Sequence, residues 1–227
     1  MTDIIHAPSK PDASAIAPLA VRDCGFLFQG AFAQPRPLSS IDLKQITDKF
    51  LSTFQEYNLT ATDISLDRGD SLFGYSLKAQ LFNGLVSFNL GAISIEGKFT
   101  RLLRAADRRL AADCIKKLVE IFREGLSEFC YFEIVLHADF SSSKERVDFF
   151  SRKAQGGLDI VGILGYRQLD DQQTIRLEID QSYTFPDGAF IAWKTIGMKL
   201  TTLLSSEPIW ATFFSLIEVF NLQLKDD

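Results

Sequence analysis

Apolar and polar residues alternate along this chain in two rhythms, a period of two that marks strands and a period near 3.6 that marks helices. The plainest strand pattern sets Phe73, Tyr75, Leu77, Ala79 and Leu81 against Leu72, Gly74, Ser76, Lys78 and Gln80. Such a segment packs one face and wets most of the other. Asn83-Gly84 follows, a pair that tolerates the positive φ of a tight hairpin, so the next strand runs back beside it. In that strand Val86, Phe88, Leu90 and Ala92 share a parity, whereas Ile93 and Ile95 take the other. A β-bulge beside Gly91, which inserts one residue, accounts for the switch. Upstream, residues 59–66 read as a strand with Thr60, Thr62, Ile64 and Leu66 in step, and Asp67-Arg68-Gly69-Asp70 is the turn that follows.

Two helical patterns bracket these strands. Leu43, Ile46, Phe50, Phe54 and Tyr57 recur at three and four residues after a capping Ser39 or Ser40. Residues 102–129 form the longest element, with Leu103, Leu110, Cys114, Leu118, Ile121, Phe122 and Phe129 on one stripe. Residues 21–33, with Val21, Phe26, Leu27, Phe28 and Phe32, open the chain as a strand of irregular middle.

The same order then returns. Tyr131, Glu133, Val135 and His137 alternate with Phe132, Ile134, Leu136 and Ala138, predicting a half-buried strand. Ser142-Ser143-Lys144-Glu145 offers a capping box for a short helix carrying Val147, Phe149 and Phe150, which Gly156-Gly157 ends. Ile160, Val161, Ile163 and Leu164 are apolar on both faces, the mark of a central strand. After a turn at Asp170-Asp171, Ile175, Leu177 and Ile179 alternate with Arg176, Glu178 and Asp180. Pro186-Asp187-Gly188 is the next turn, and residues 189–204 read as strand first, then a helical turn. Ser206 and Pro208 start a helix over residues 209–224 that is apolar nearly all round.

These elements predict an α+β protein: pseudo-duplicated strand-helix-three strands-helix units forming a mainly antiparallel sheet packed on long helices. The first unit spans residues 21–128 and the second 130–224, packed together as one globular domain behind a disordered tail at residues 1–20. The repetition is one of pattern, without residue identity between the halves.

Composition narrows the function classes. With 227 residues, 46% of them hydrophobic and 20 of them phenylalanine, the chain can bury an aromatic core without disulfide or metal support. A net charge of −5 argues against nucleic acid as the main partner, since that affinity rests on uncompensated Lys and Arg. Three cysteines, Cys24, Cys114 and Cys130, form no C-x-x-C pair, which points to a reducing compartment. The first residues lack a secretory pattern and no apolar run is long enough to span a bilayer, so the expectation is a cytoplasmic protein away from the membrane.

Chemistry is sparse. His137 and Glu133, with Glu178 and Asp180 on another wet strand face, form the one constellation suited to a metal or to proton transfer. The plainer reading is a charged strand face, because catalytic metal sites want three convergent ligands and the one other histidine, His6, lies in the tail. Arg101, Arg104, Arg108, Arg109, Lys116 and Arg123 make a basic stripe along the long helix, able to meet an acidic partner, although Asp113, Glu120, Glu124 and Glu128 dilute it. Gly97-Lys98 lacks phosphate-loop spacing. No cofactor and no resident metal are written here.

The expectation is therefore a non-enzymatic scaffold or protein-interaction module, a homodimer or other homo-oligomer, joining through its last helix or a sheet edge. Ile209, Trp210, Phe213, Phe214, Ile217 and Phe220 are the helix residues that would meet another chain. The alternative is a binding protein for a hydrophobic small molecule held between curved sheet and long helix. A further alternative is a metal-dependent enzyme using His137 and its carboxylates.

Overall fold

β1 (Ala17–Phe32) and β6 (Leu126–Phe140), the two longest strands, lie antiparallel side by side at the centre of the sheet. Alternation explains both: Cys24, Phe26 and Phe28 on β1 share a buried face with Leu136, Ile134 and Phe132 on β6, while Asp23 and Leu27 share the opposite face with His137 and Glu133. The computed structural model describes residues 17–35, 40–68, 75–81, 84–88, 91–99, 101–151, 162–168, 173–205 and 207–226.

The remaining strands are β2 (Ile64–Arg68), β3 (Tyr75–Leu81), β4 (Gly84–Phe88), β5 (Ala92–Lys98), β7 (Gly162–Gln168), β8 (Thr174–Gln181), β9 (Gly188–Lys199) and β10 (Leu222–Asp226). They form one ten-stranded sheet in the order β2-β3-β4-β5-β1-β6-β9-β8-β7. β10 runs parallel to residues 17–21 of β1, and the neighbouring pairs within that order are antiparallel. The chain is an α+β protein.

The helices α1 (Ser40–Thr53), α2 (Ala105–Phe122), α3 (Ser143–Ser151), α4 (Leu200–Leu204) and α5 (Glu207–Val219) build a layer over the apolar side. Phe122 of α2 stacks on Phe88 of β4 at 4.5 Å and meets Phe32 edge-on. Trp210 of α5 meets Phe99 and Phe132, and Phe213 meets Trp193 of β9. Phe149 and Phe150 bring α3 onto Phe140 of β6. α1 is tied to α2 by Lys49 Nζ on the Ile121 carbonyl at 3.2 Å, and the 3₁₀ turn at Gln55–Tyr57 that follows α1 by the Tyr57 hydroxyl, which donates to Asp113 at 2.5 Å. Among the described residues, no helix is long and apolar enough to cross a membrane.

Several expectations need correction. β1 begins at Ala17, inside the expected tail, because Leu19 is fully buried and the segment is clamped between β10 and β6. Residues 61–63 form a 3₁₀ turn, closed by a capping box between Thr60 and Asp63, so β2 starts only at Ile64 and runs through Asp67-Arg68. The expected single strand with a bulge is two strands, β4 and β5: Phe88 faces Ile93 and Val86 faces Ile95, so the parity switch is a chain reversal and the first half holds four strands after its helix.

α2 ends at Phe122, and Gly125, at a φ of +98°, turns the chain into β6; residues 126–129 are strand. Ile163 and Leu164, read as part of a central strand, lie in β7, the terminal strand of the sheet among the described residues, with Leu164 51% exposed; Ile160 and Val161 lie outside those residues. α5 stops at Val219, where Asn221 adopts a left-handed φ of 56°, and Leu222 and Leu224 point into the core from β10.

Other signals hold. Residues 189–199 are strand and residues 200–204 helix. β3 and β4 pair antiparallel, with Leu81 opposite Gly84, as expected of neighbouring strands. The signals at Ser39, Gly69-Asp70, Asn83, Gly156-Gly157, Asp170-Asp171 and Ser206 lie outside the described residues.

Candidate functional site

The side of the sheet opposite the helices carries the polar equipment. Between β4, β5, β1 and β6 it forms a groove of about 610 Å³, with Gly25, Leu27 and Val135 along its floor and Leu85 on its rim. Asp23, Glu96, Lys98, Glu133 and His137 surround that apolar strip. Gly25 keeps the floor low: a Cβ there would stand 3.3 Å from the Gly97 carbonyl oxygen.

Of the predicted constellation, His137 and Glu133 both line this groove, while Glu178 and Asp180 lie on β8, two strands from β6. Four residues along a strand put His137 and Glu133 about 13 Å apart in backbone, too far to share one ion. Each carboxylate is also engaged. Glu133 accepts the Tyr131 hydroxyl at 2.5 Å and pairs with Lys194 at 3.0 Å. Glu178 pairs with Arg176 at 3.1 Å, and Asp180 accepts the Gln181 backbone N–H at 2.6 Å. Phe190 stands in register between Asp180 and His137. Among the described residues, no group of three or more His, Cys, Asp or Glu is arranged to hold a metal ion.

His137 is held as a wall. Its Nδ1 lies 3.0 Å from the Ser182 hydroxyl, which accepts backbone N–H groups from Thr184 and Phe185 at 3.2 and 3.1 Å. Phe185 and Phe190 flank the ring at 5.7 and 5.4 Å.

The other predicted sets divide. On α5, Ile209, Trp210, Phe213 and Ile217 are buried inside the protomer and Phe214 is half-buried, as is Phe220 just past its end. The helix is sandwiched, which explains its apolar girth. In the basic stripe Arg108 donates to the Leu102 and Leu103 carbonyls and lies over Trp210 and Phe214, while Arg101, Arg104, Arg109, Lys116 and Arg123 are exposed. Arg101 and Arg104 precede the helix. Between α2, α4, α5 and β6 the open space is about 10 Å³, at the lower limit for a single water.

Leu27 stood out in the sequence only as an apolar strand position and Lys98 only in a rejected phosphate loop, and Asp23, Gly25 and Glu96 not at all. Their signal was the wet parity of β1 and β5, which became readable only once Phe26, Phe28, Ile93 and Ile95 were seen to face the helices. No protein-family model matches the chain, and no curated protein matches it.

Proposed function

We propose that the protein is a scaffold or interaction module that self-associates through the free edge of its sheet, with β7 as the joining strand. The observation that carries this reading is the character of β7. Among the described residues it ends the sheet and pairs only with β8, and it exposes Leu164 at 51% and Tyr166 at 65%. Natural edge strands are guarded by prolines, bulges or inward charges, because a bare edge templates pairing with another chain. β7 reads Gly-Ile-Leu-Gly-Tyr-Arg-Gln, with a charge only at Arg167.

Antiparallel pairing of two copies about Gly165 sets Leu164 against the partner's Tyr166 and leaves the dyad clear of side chains. Cross-strand aromatic and aliphatic pairs of this kind stabilise sheets, and a two-fold contact closes without leaving a further edge to propagate from β7. The buried state of α5 favours the edge over the last helix as the joining surface. The mirrored halves of the strand order, β3-β4-β5-β1 and β7-β8-β9-β6, support reading the scaffold as two related units.

Sedimentation equilibrium tests it. A concentration-dependent dimer is expected, converted to monomer by Leu164→Lys or Tyr166→Lys with thermal stability retained. A strict monomer at high concentration, or a dimer indifferent to both substitutions, overturns the reading.

A further inference from the structure

We propose that the groove on the open side of the sheet is a binding site for a small organic ammonium compound with an apolar body. Its size and lining fit such a guest. About 610 Å³ lies within the range of small-molecule sites, which combine an apolar surface with a few placed polar groups. Gly25, Leu27, Val135 and Leu85 supply that apolar surface.

Charge selects the guest. Three carboxylates line the groove, and two have a cation: Asp23 is 3.0 Å from Lys98 and Glu133 is 3.0 Å from Lys194. Glu96 is exposed and has none among the described residues. In register it stands between Leu27 of β1 and Leu85 of β4, and Leu27 in turn stands between Glu96 and Glu133. An unneutralised carboxylate between two leucines suits an ammonium group whose hydrocarbon part lies across Leu27 toward Val135. A phosphate or carboxylate ligand would meet surplus negative charge there. The ring of His137, held by Ser182 at Nδ1, closes one end.

Amide chemical shifts of the full chain are the readout, because Trp193 and Trp210 are buried on the helix side, away from the groove. Titration with phenethylamine at neutral pH is expected to shift the amides of residues 23–27, 94–98 and 133–137 saturably. Phenylethanol should bind about fivefold more weakly, the scale of one exposed ion pair, and phenylpropionate should leave those amides unmoved. Glu96→Gln, an exposed substitution that leaves the core intact, should weaken phenethylamine about fivefold. Gly25→Val should block the floor. Equal responses to the three compounds, shifts that do not saturate, or undiminished binding of phenethylamine to Glu96→Gln would each overturn the proposal.

Discussion

Cys114 lies on the buried face of α2 and Cys130 on the buried face of β6, and burial pushes both thiols from an ordinary 9.0 up to about 12. For Cys114 the Asp113 carboxylate adds to the effect. Tyr57 and Tyr131 move upward as well, through burial first and then through their hydrogen bonds to Asp113 and Glu133. Groups whose folded pKa is raised contribute stability that is complete below their ordinary value and is lost as pH climbs through the folded one. The urea midpoint should therefore hold to about pH 9 and fall steadily toward pH 12, with a shallower fall in Cys114→Ala/Cys130→Ala. A midpoint flat across that window, or fast labelling of either thiol in the native protein at pH 8, would contradict the burial argument. None of this was legible from the cysteines themselves beyond their apolar company. The Tyr57–Asp113 bond joins residues 56 positions apart, and Glu133 reads as a free base in sequence while Lys194, across the sheet on β9, neutralises it.

Element boundaries were misread where a local pattern continued through a break. Residues 209–224 keep apolar residues at helical spacing, yet Asn221 turns left-handed and the last residues become β10 beside β1. Asparagine tolerates that backbone better than most residues, so Asn221 was the signal available. Leu222 is 1% exposed there, packed into the core as the strand closes the edge of residues 17–21. Leu222→Ala should cost about 2–5 kcal/mol of unfolding free energy in urea. A cost below about 0.5 kcal/mol, the level of an uninvolved surface site, would show β10 to be a passive tail. The β4–β5 reversal was misread for the opposite reason. A two-strand hairpin and a bulged single strand produce the same parity switch, and only the cross-strand facing of Phe88 with Ile93 distinguishes them.

At the scale of the molecule, β1 and β6 form the longest pairing in the sheet, and one hydrophobic cluster runs from Phe54 in the first half to Phe213 in the second. Neither half can open without exposing that shared core. Urea unfolding at fixed protein concentration should accordingly follow one transition, coincident by far-ultraviolet circular dichroism and by tryptophan fluorescence. Two separated transitions would mean that the halves are independent domains.

The α+β class, the apolar faces of the principal strands and helices, and the core phenylalanines were all set by the sequence alone, because a period of two or of 3.6 depends on residues a few positions apart. Strand order was beyond it. β7 became an edge, α5 became covered, and Asp23, Glu96 and Glu133 came together around Leu27 only because β1, β5 and β6 meet across more than a hundred residues of chain. Those pairings are decided by how the whole core closes, and no local rhythm encodes them.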